Sequence, residues 1–447
     1  MGKLFGTDGV RGIANSELTP ELAMNLGKAG AYVLTKNKTP KILVATDSRR
    51  SGDMLAAALS AGLCSVGAEV YLAGVVPTPT VAYLVRKYNF DAGVMISASH
   101  NPMSDNGIKF FSSSGYKLPD ALENEIESYM ENPEKLPRPI SSDVGIVLPY
   151  KTACEDYLSY LLSTVEGLNL GGMKIALDCA NGATSEVAPK IFASLGATVH
   201  NLSNTPNGLN INENCGSTHM ENLSQYVKAN NLDIGIAFDG DGDRMLAVDG
   251  DGIPVQGDEI LAIIGSDLKE RGLLAKDTIV ATTMSNQGLE VMCRNHGITL
   301  HRTDVGDRYV LEKMLTDNLL LGGEQSGHVI FKEYSTTGDG ILTALKLAEV
   351  IARKSKSLNE LKKIMENFPQ VLVNITVPND KKRKWHENPM IMNQYNEIEA
   401  KLAGEGRILV RPSGTEPLVR VMIEGRDKTE IQSMAESLAE IIKETLR

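Results

Sequence analysis

The sequence lacks the features that direct a chain to a membrane or to an oxidising compartment. No apolar run reaches the roughly 18 residues of a membrane-spanning helix, and residues 1–11 lack the apolar core of a signal peptide. Gly6 stands where a myristoylation motif needs Ser or Thr. The five cysteines are scattered and never form a Cys-x-x-Cys pair. We therefore expect free thiols in a cytoplasmic protein.

Positive charge is also in short supply. The 447 residues include 45 Lys and Arg against 56 Asp and Glu, which gives a formal net charge of −11. Binding to nucleic acid or to an anionic membrane relies on concentrated Lys and Arg, so we expect neither as a partner. The hydrophobic content of 42% is that of an ordinary globular protein. The length by itself predicts about three domains, and any phosphate group must be captured by local side chains.

Three segments share a strand, helix, strand pattern in which a β-branched strand leads through a helical stretch to a second strand. The strand pairs are Lys41–Asp47 with Gly67–Tyr71, Lys174–Asp178 with Gly196–His200, and Thr278–Thr282 with Gly297–His301. This pattern predicts βαβ units with mostly parallel strands, and a triplication would explain it. The prolines within residues 131–149 indicate a surface connection after the first unit.

The residues from Phe368 onward differ in kind. An alternating apolar strand is followed by a polar stretch, a helix near 390–402, two short strands and a terminal helix at 428–446, which predicts a small α+β domain. The whole chain is thus predicted to be α/β, with three tandem α/β domains of mixed, mostly parallel sheets and a smaller carboxyl-terminal α+β domain. The predicted domains are 1–150, 151–253, 254–367 and 368–447.

Residues 234–244 carry three Asp side chains, at 239, 241 and 243, after an apolar strand. Ionised carboxylates this close repel one another, and Mg²⁺, which prefers oxygen ligands, compensates for the repulsion. An EF-hand is excluded because its sixth and twelfth positions, counted from Asp239, are Arg244 and Gly250. A polar turn explains the glycines but not the third Asp, and it suits Asp249–Gly252 better.

A second loop, Ser97-Ala-Ser99-His100-Asn-Pro, follows the apolar strand at 91–96. Loops at the carboxyl ends of strands are where α/β sheets place their sites. This loop, the Asp-Gly-Asp-Gly-Asp-Arg loop, Gly-Glu-Gln-Ser-Gly-His at 323–328 and Arg-Pro-Ser-Gly-Thr-Glu at 411–416 occur in the order found in the α-D-phosphohexomutases. The chain resembles that family over essentially its whole length. The resemblance implies four domains around a central cleft, each of which gives one loop.

For Ser99 the resemblance implies a phosphoserine that gives its phosphoryl group to a sugar phosphate, which makes a bisphosphate, and then takes back the other phosphate. The implied ligands of one Mg²⁺ are the Ser99 phosphate, Asp239, Asp241 and Asp243, and glucosamine or glucose 1,6-bisphosphate is the implied activator. Taken alone, Ser99 could equally cap a helix. Only the position of Ser99 in the loop motif of the family favours it over Ser97 as the nucleophile.

Lys109, ten residues after Ser99, matches the family's candidate for proton transfer. That role requires a depressed pKa, which cationic neighbours or partial burial would produce, whereas the alternative is a solvated surface lysine. The resemblance also implies that Arg11 faces the phosphate, that His100 orients the serine loop and that His328 contacts the reacting centre. Both histidines could equally be structural.

The resemblance assigns the remaining site residues to the substrate. Glu324 and Ser326 are the candidates for the ring hydroxyls, with Glu324 the better one. The loop at 411–416 has the amides, hydroxyls and guanidinium that bind a phosphate dianion, although its prolines also fit a plain turn, and it could close over the substrate. The full set is Arg244, Asp307, Arg308, Glu324, Ser326, His328, Arg411, Ser413, Gly414, Thr415 and Arg420.

Gln325 and residues 303–309 resemble the branch of the family that acts on glucosamine phosphate. This implies interconversion of glucosamine 6-phosphate and glucosamine 1-phosphate, a step that feeds amino-sugar nucleotide and bacterial cell-wall synthesis. The glucose and mannose mutases of the same family are the alternative. The family often forms homodimers, and the sequence does not decide whether this chain does.

Two other classes of protein are weighed against a mutase. A haloacid-dehalogenase-like phosphatase would use Asp239 as its nucleophile and needs Thr or Val where Asp243 stands. A non-catalytic sugar-phosphate sensor is disfavoured because Ser99, Lys109 and the three Asp residues are all present.

Overall fold

The computed structural model describes residues 4–6, 8–35, 39–413 and 417–446. The strands are β1 Val10–Ile13, β2 Lys41–Thr46, β3 Glu69–Val75, β4 Ala92–Ile96, β5 Asp105–Ser112, β6 Val147–Pro149, β7 Lys174–Asp178, β8 Thr198–Leu202, β9 Ile234–Phe238, β10 Met245–Asp249, β11 Pro254–Val255, β12 Thr278–Thr282, β13 Thr299–Thr303, β14 Leu321–Gly323, β15 Val329–Phe331, β16 Gln370–Thr376, β17 Arg407–Pro412 and β18 Leu418–Glu424.

The helices are α1 Pro20–Thr35, α2 Ser51–Ser65, α3 Thr78–Lys87, α4 Asp120–Glu131, α5 Ala153–Ser163, α6 Val187–Ser194, α7 Glu221–Ala229, α8 Gly257–Glu270, α9 Gln287–Asn295, α10 Asp307–Thr316, α11 Gly340–Lys354, α12 Leu358–Leu361, α13 Pro389–Leu402 and α14 Lys428–Thr445. Within the described ranges, none of them combines the length and the apolar character that crossing a membrane requires.

The chain divides into two compact units. The first comprises Met1–Met284 and Leu300–Lys362, and the second comprises Ser285–Thr299 and Lys363–Arg447. Three mixed sheets are built by β1 to β15, and a separate antiparallel sheet is built by β16 to β18. The predicted fold class, three α/β sheets and a smaller carboxyl-terminal α+β domain, is confirmed. The predicted borders of the four domains stay predictions.

The first sheet has the strand order β1-β5-β4-β2-β3-β6. Strand β2 is parallel to both β3 and β4, whereas β5 is antiparallel to β4 and β1. The centre of β2 is apolar and buried, as expected of a strand with helices on both faces. The predicted surface connection at 131–149 is mostly exposed, but its end forms β6, which pairs with β3 at the sheet edge. Proline permits this because an edge strand has one unpaired side.

The second sheet has the order β11-β10-β9-β7-β8 and the third has β13-β12-β14-β15. Strand β7 is parallel to β8 and β9, and β12 is parallel to β14. The strand, helix, strand order is confirmed in all three predicted segments, as β2-α2-β3, β7-α6-β8 and β12-α9-β13. Asp249–Gly252 forms the turn between antiparallel β10 and β11, as predicted.

In the second unit, β18 pairs antiparallel with β16 and β17. Apolar side chains of these strands and of α13 and α14 form one core. The buried carboxylate of Glu424 accepts hydrogen bonds from Arg407 Nε at 2.6 Å and from the backbone N–H of Gln287 at 2.9 Å. This carboxylate ties the start of α9 to the carboxyl-terminal sheet.

Candidate active site

Ser99 follows β4, all five residues of which are buried. Its hydroxyl donates to Asp239 Oδ2 at 2.6 Å and lies 3.3 Å from His100 Nδ1. The next element is strand β5, so there is no helix for Ser99 to cap. The hydroxyl of Ser97 donates instead to Asp47 Oδ2 at 2.6 Å. Of the two serines, Ser99 is the one that faces the acidic loop.

Asp239, Asp241 and Asp243 follow β9 and are all buried. One carboxylate oxygen of each lies within 4.8 Å of the others. Burial, reinforced by the negative charges of Asp243 and Asp241, raises the pKa of Asp239 well above its usual value. Burial also opposes ionisation of Asp243, but His328 and then Lys109 outweigh it and lower the pKa of Asp243. Burial and the neighbouring carboxylates therefore disfavour ionisation of Asp239, whereas His328 and Lys109 favour ionisation of Asp243.

Two oxygens of this cluster have no hydrogen-bond partner among the described residues. Oδ2 of Asp241 accepts from Thr78 Oγ1 at 2.7 Å and from Lys109 Nζ at 2.8 Å, whereas its Oδ1 and Oδ1 of Asp243 are buried and unsatisfied. Buried carboxylate oxygens without a donor are costly. An all-oxygen set of this kind suits a hard divalent cation, so the triad could bind a metal ion.

Lys109 lies on β5 and its side chain is 1% exposed. Its ammonium lies 2.8 Å from Asp241 Oδ2, 2.9 Å from Asp8 Oδ2 and 4.0 Å from Asp243 Oδ2. Burial disfavours the charged form, but the three carboxylates outweigh it and raise the pKa of Lys109. The prediction that the pKa of Lys109 is depressed is therefore wrong, because its nearest charged neighbours are anions. The solvated-lysine alternative is also wrong.

Both histidines lie near the acidic loop, His100 beside Arg244 and His328 beside Asp243. For His100, burial and then the cations Arg244 and Arg11 lower the pKa, and its Nδ1 lies 3.3 Å from Arg244. Burial would also lower the pKa of His328, but Asp243 and Asp307 outweigh it and raise the value.

The ring of His328 is fixed by Gly338. The Gly338 N–H donates to His328 Nε2 at 3.0 Å, and Nδ1 lies 3.7 Å from Asp243 Oδ2. A Cβ at residue 338 would lie 2.5 Å from the ring. The glycine therefore leaves the space in which this ring sits beside the acidic loop.

Asp8 connects the cations of the site. It contacts Arg11, Lys109 at 2.9 Å and Lys117 at 2.6 Å, and Lys117 reaches Asp307 at 2.7 Å. For Asp307, burial favours the neutral form, but Lys117 and His328 outweigh it and lower the pKa. The resulting chain of alternating charges joins loops from all three α/β sheets.

A cavity of about 570 Å³ opens beside these charges. This is within the range of small-molecule sites. The polar side chains on its wall include those of Arg11, His100, Arg244, Asp307, Arg308, Glu324 and His328.

The predicted sugar-binding residues are brought together only in part. Glu324 and Arg308 line the cavity, although Arg308 also pairs with Asp120 at 2.7 Å. The hydroxyl oxygen of Ser326 is buried and accepts or donates no hydrogen bond within the described part of the chain.

The predicted phosphate-binding residues lie in the second unit. Arg411 on β17 and Arg420 on β18 are direct cross-strand partners, and the Ser413 N–H donates to Leu418 O at 2.8 Å. Gly414 and Thr415 lie outside the described residues.

Several residues of this centre were not predicted from the sequence. Asp8 lies three residues before Arg11 in a glycine-rich stretch, and this spacing is its only local signal. Thr78 and Lys117 carry no signal in the sequence, because they meet Asp241 and Asp307 only after folding. Asp47 and Arg49, which contact the serine loop, follow β2 at the edge where α/β sites form.

Four family models match the chain in order. Domain I of phosphoglucomutase/phosphomannomutase matches residues 2–137, domain II matches 155–252, domain III matches 256–368 and the carboxyl-terminal domain matches 372–441. The first three are described as alpha/beta/alpha domains, which agrees with the three mixed sheets.

Relatives match over the full length. A protein of Ruminiclostridium cellulolyticum named phosphoglucosamine mutase is 56% identical over 446 residues, which covers 99% of each chain. A protein of the same name from Clostridium botulinum is 58% identical over 444 residues, again with 99% of each chain covered.

Solved structures share the fold. A phosphoglucomutase/phosphomannomutase family protein from Burkholderia thailandensis has a TM-score of 0.82 at 24% identity, with 99% of this chain and 97% of that chain covered. Aspergillus fumigatus N-acetylphosphoglucosamine mutase, solved with GlcNAc-6P and magnesium, has a TM-score of 0.69 at 17% identity, with 99% and 96% covered. The four matching models and the full-length relatives show that the chain belongs to the phosphoglucomutase/phosphomannomutase family.

Proposed function

We propose that this chain interconverts glucosamine 6-phosphate and glucosamine 1-phosphate through a phosphoserine at residue 99. The single observation that carries the proposal is the 2.6 Å contact between the Ser99 hydroxyl and Asp239, at the mouth of a buried three-carboxylate cluster. A phosphoryl group on Ser99 would lie directly beside this cluster. Phosphoryl transfer depends mainly on such positioning and on compensation of charge.

In the forward step the bond between phosphorus and Ser99 Oγ breaks and a bond to a sugar hydroxyl forms, which makes a sugar 1,6-bisphosphate. The hydroxyl proton leaves to a base. In the second step the other phosphate of the bisphosphate returns to Ser99. Lys109 is the candidate for proton transfer in the forward step. Its ammonium, held charged 2.8 Å from Asp241, gives a proton to Ser99 Oγ as the bond to phosphorus breaks, and the amine left behind takes up the proton of the sugar hydroxyl.

The acidic loop has the composition of a magnesium site. Asp239, Asp241 and Asp243 would hold the ion, as the two unsatisfied oxygens support, together with the Ser99 phosphate. When bound, Mg²⁺ supplies positive charge that stabilises the transferring phosphoryl group. Arg11 and His100, on the cavity wall, would orient the phosphate and the serine loop. A sugar 1,6-bisphosphate is the proposed activator, because it phosphorylates Ser99 directly.

The substrate assignment rests on the relatives named phosphoglucosamine mutase at 55–58% identity. Glu324 is placed on the cavity wall, where its carboxylate can accept two hydrogen bonds from ring hydroxyls or bind the amine. Arg244, Asp307, Arg308 and His328 line the same cavity and are proposed to bind substrate with it. Ser326, in the same turn, is proposed to do so as well.

Arg411, Ser413, Gly414, Thr415 and Arg420 are proposed to bind a phosphate group of the substrate. The cross-strand pairing of Arg411 with Arg420 supports this, because it puts two arginines at facing positions of the sheet, and guanidinium groups suit a phosphate dianion. All five cysteines are free thiols, in keeping with the proposed cytoplasmic location.

The test uses purified full-length protein with Mg²⁺ and a trace of glucose 1,6-bisphosphate. We expect conversion of glucosamine 6-phosphate into glucosamine 1-phosphate and phosphate on Ser99 by mass spectrometry. Ser99→Ala should abolish both, whereas Ser104→Ala, an exposed serine of the same loop, should leave both unchanged. Full activity of Ser99→Ala would refute the nucleophile.

Competing functions predict other products. A phosphatase would release inorganic phosphate and label Asp239, and a sensor would bind sugar phosphate without turnover. Faster turnover of glucose or mannose phosphate than of glucosamine phosphate would assign the chain to another branch of the family.

A further inference from the structure

The serine loop is held by a side chain that has no part in the proposed chemistry. Arg49 is fully buried, and its Nε donates to Asp47 Oδ2 at 2.9 Å. Its four remaining N–H groups donate to backbone carbonyls of the serine loop, those of Ser99, Asn101, Pro102 and Asp105. All five N–H donors of this guanidinium are therefore used.

A second side chain holds the same loop from the second sheet's segment. Nδ2 of Asn212 donates to Ser99 O at 2.8 Å and to Asn101 O at 2.9 Å. The carbonyl of Ser99 thus accepts hydrogen bonds from both Arg49 and Asn212. Two donors on one carbonyl fix the plane of the peptide bond that follows Ser99.

That fixed peptide matters because of the backbone at Ser99. Its φ is +53°, a left-handed conformation that residues other than glycine adopt only where the surroundings hold them there. Ser97 Oγ also accepts the Ser99 N–H at 2.9 Å. Without these contacts Ser99 would relax toward a negative φ, and its Oγ would turn away from Asp239.

We propose that Arg49 and Asn212 are positioning residues for phosphoryl transfer, because together they hold Ser99 in the conformation that points its Oγ at the acidic cluster. This inference rests on the proposed function. The role calls for a planar fork of five donors in Arg49, which the three donors of a lysine ammonium cannot reproduce.

The test compares Arg49→Lys and Asn212→Ala with the matched control Arg50→Lys, a substitution of the exposed neighbouring arginine. Each full-length variant is assayed for kcat and KM with glucosamine 6-phosphate, Mg²⁺ and glucose 1,6-bisphosphate. The rate of Ser99 phosphorylation by the bisphosphate is followed by mass spectrometry, and the folded fraction is checked by circular dichroism.

We expect kcat of Arg49→Lys to fall by about 100-fold and that of Asn212→Ala by about tenfold, because a displaced reacting group loses rate. KM should stay within about threefold, since the groups proposed to bind substrate are untouched. The phosphorylation rate of Ser99 should fall with kcat. Arg50→Lys should match the wild type.

The outcomes separate the two proposals. If neither the wild type nor Arg50→Lys is phosphorylated at Ser99, the proposed function fails. If both are phosphorylated and the two test variants keep their rates, the positioning role is refuted while the function stands. A loss explained by a smaller folded fraction, with kcat per folded molecule unchanged, also refutes it. Should Arg49→Lys not fold, Asn212→Ala decides by the same criteria.

Discussion

Two Asp-Gly loops of the second sheet have almost the same composition, but their carboxylates lie in different surroundings. The loop between β9 and β10 carries Asp239, Asp241 and Asp243, whereas the turn between β10 and β11 carries Asp249 and Asp251. In the first loop two carboxylate oxygens are buried without a hydrogen-bond partner among the described residues. In the second, Oδ1 of Asp249 accepts the N–H groups of Asp251 at 3.0 Å and Ile253 at 2.9 Å, and its buried Oδ2, which has no hydrogen bond among the described residues, forms an ion pair with Lys362.

The difference lies in what surrounds each loop. Ser99, Thr78 and Lys109 from the first sheet's segment contact the β9–β10 loop, so it is enclosed and its carboxylates face one another. The β10–β11 turn is closed by its own backbone and by Lys362, 2.5 Å from Asp249 Oδ2. Composition alone therefore does not separate a metal site from a turn. Three buried carboxylates converge in the first loop, whereas in the second a lysine already pairs with the buried oxygen that has no hydrogen bond.

The largest expected effect follows from removal of one carboxylate of the buried loop. Asp241→Asn should lower kcat/KM by about 1,000-fold, or about 4 kcal/mol, because a ligand of the proposed metal and the partner of Lys109 are lost together. Stabilisation of the fold by Mg²⁺, measured as a shift in Tm, should disappear as well. The matched variant Asp251→Asn should keep both activity and the shift. Equal losses in the two variants would mean that the two loops do not differ in function.

The second largest difference is expected between alanine substitutions at the glycines of the two loops. A Cβ at Gly240 would lie 2.6 Å from Ser99 O, whereas one at Gly250 would find its nearest atom at 3.4 Å. We expect Gly240→Ala to lower kcat by about 100-fold, since it pushes the serine loop from the acidic loop. Gly250→Ala should stay within about twofold. Steady-state kinetics of the pair measures this, and a functional Gly240→Ala enzyme would show that the two loops need not touch.

The outer turn should matter for stability rather than for the reaction. Asp249→Ala should lower the free energy of unfolding by about 2 kcal/mol, because two turn N–H groups and Lys362 lose their acceptor. Urea denaturation measures the loss. The Tm shift produced by Mg²⁺ should be that of the wild type, and a smaller shift would mean that the outer turn also contributes to ion binding.

The smallest effect is expected for the ion pair of that turn. Lys362→Met should lower the free energy of unfolding by about 1 kcal/mol or less, because the lysine side chain is 21% exposed and partly exposed pairs contribute little. Comparison with Asp249→Ala in the same urea series gives the share of the turn's stability that comes from its backbone contacts. A loss as large as that of Asp249→Ala would mean that the ion pair dominates.

Elements with a strong local pattern were predicted well. The paired strands and helices of β2-α2-β3 and β7-α6-β8 appear where the apolar periodicity put them, and so does the carboxyl-terminal α+β domain. The turn at Asp249–Gly252 was also predicted, because Asp-Gly pairs suit a hairpin in any surroundings. By contrast, the pairing of β6 with β3 was missed, since a proline-rich stretch carries no strand signal.

The environment of Lys109 shows where prediction from the sequence ended. Its match to the family's proton-transfer residue led to the expectation of a pKa depressed by cationic neighbours or partial burial, but Asp8 and Asp241 lie within 3 Å of its ammonium. These carboxylates are 101 and 132 positions from Lys109 in the chain. No window of sequence could include them all.

Local order in this protein therefore follows from the chain itself: which stretches become strands, where the loops fall, and which loop carries three acids in a row. Folding decided the rest, namely that Asp239 meets Ser99, that Lys117 joins Asp8 to Asp307, and that Arg49 and Asn212 meet at one carbonyl. The physical reason is that periodicity and turn chemistry act over a few residues, whereas the charge, burial and pKa of a side chain depend on groups that only the packed chain brings near.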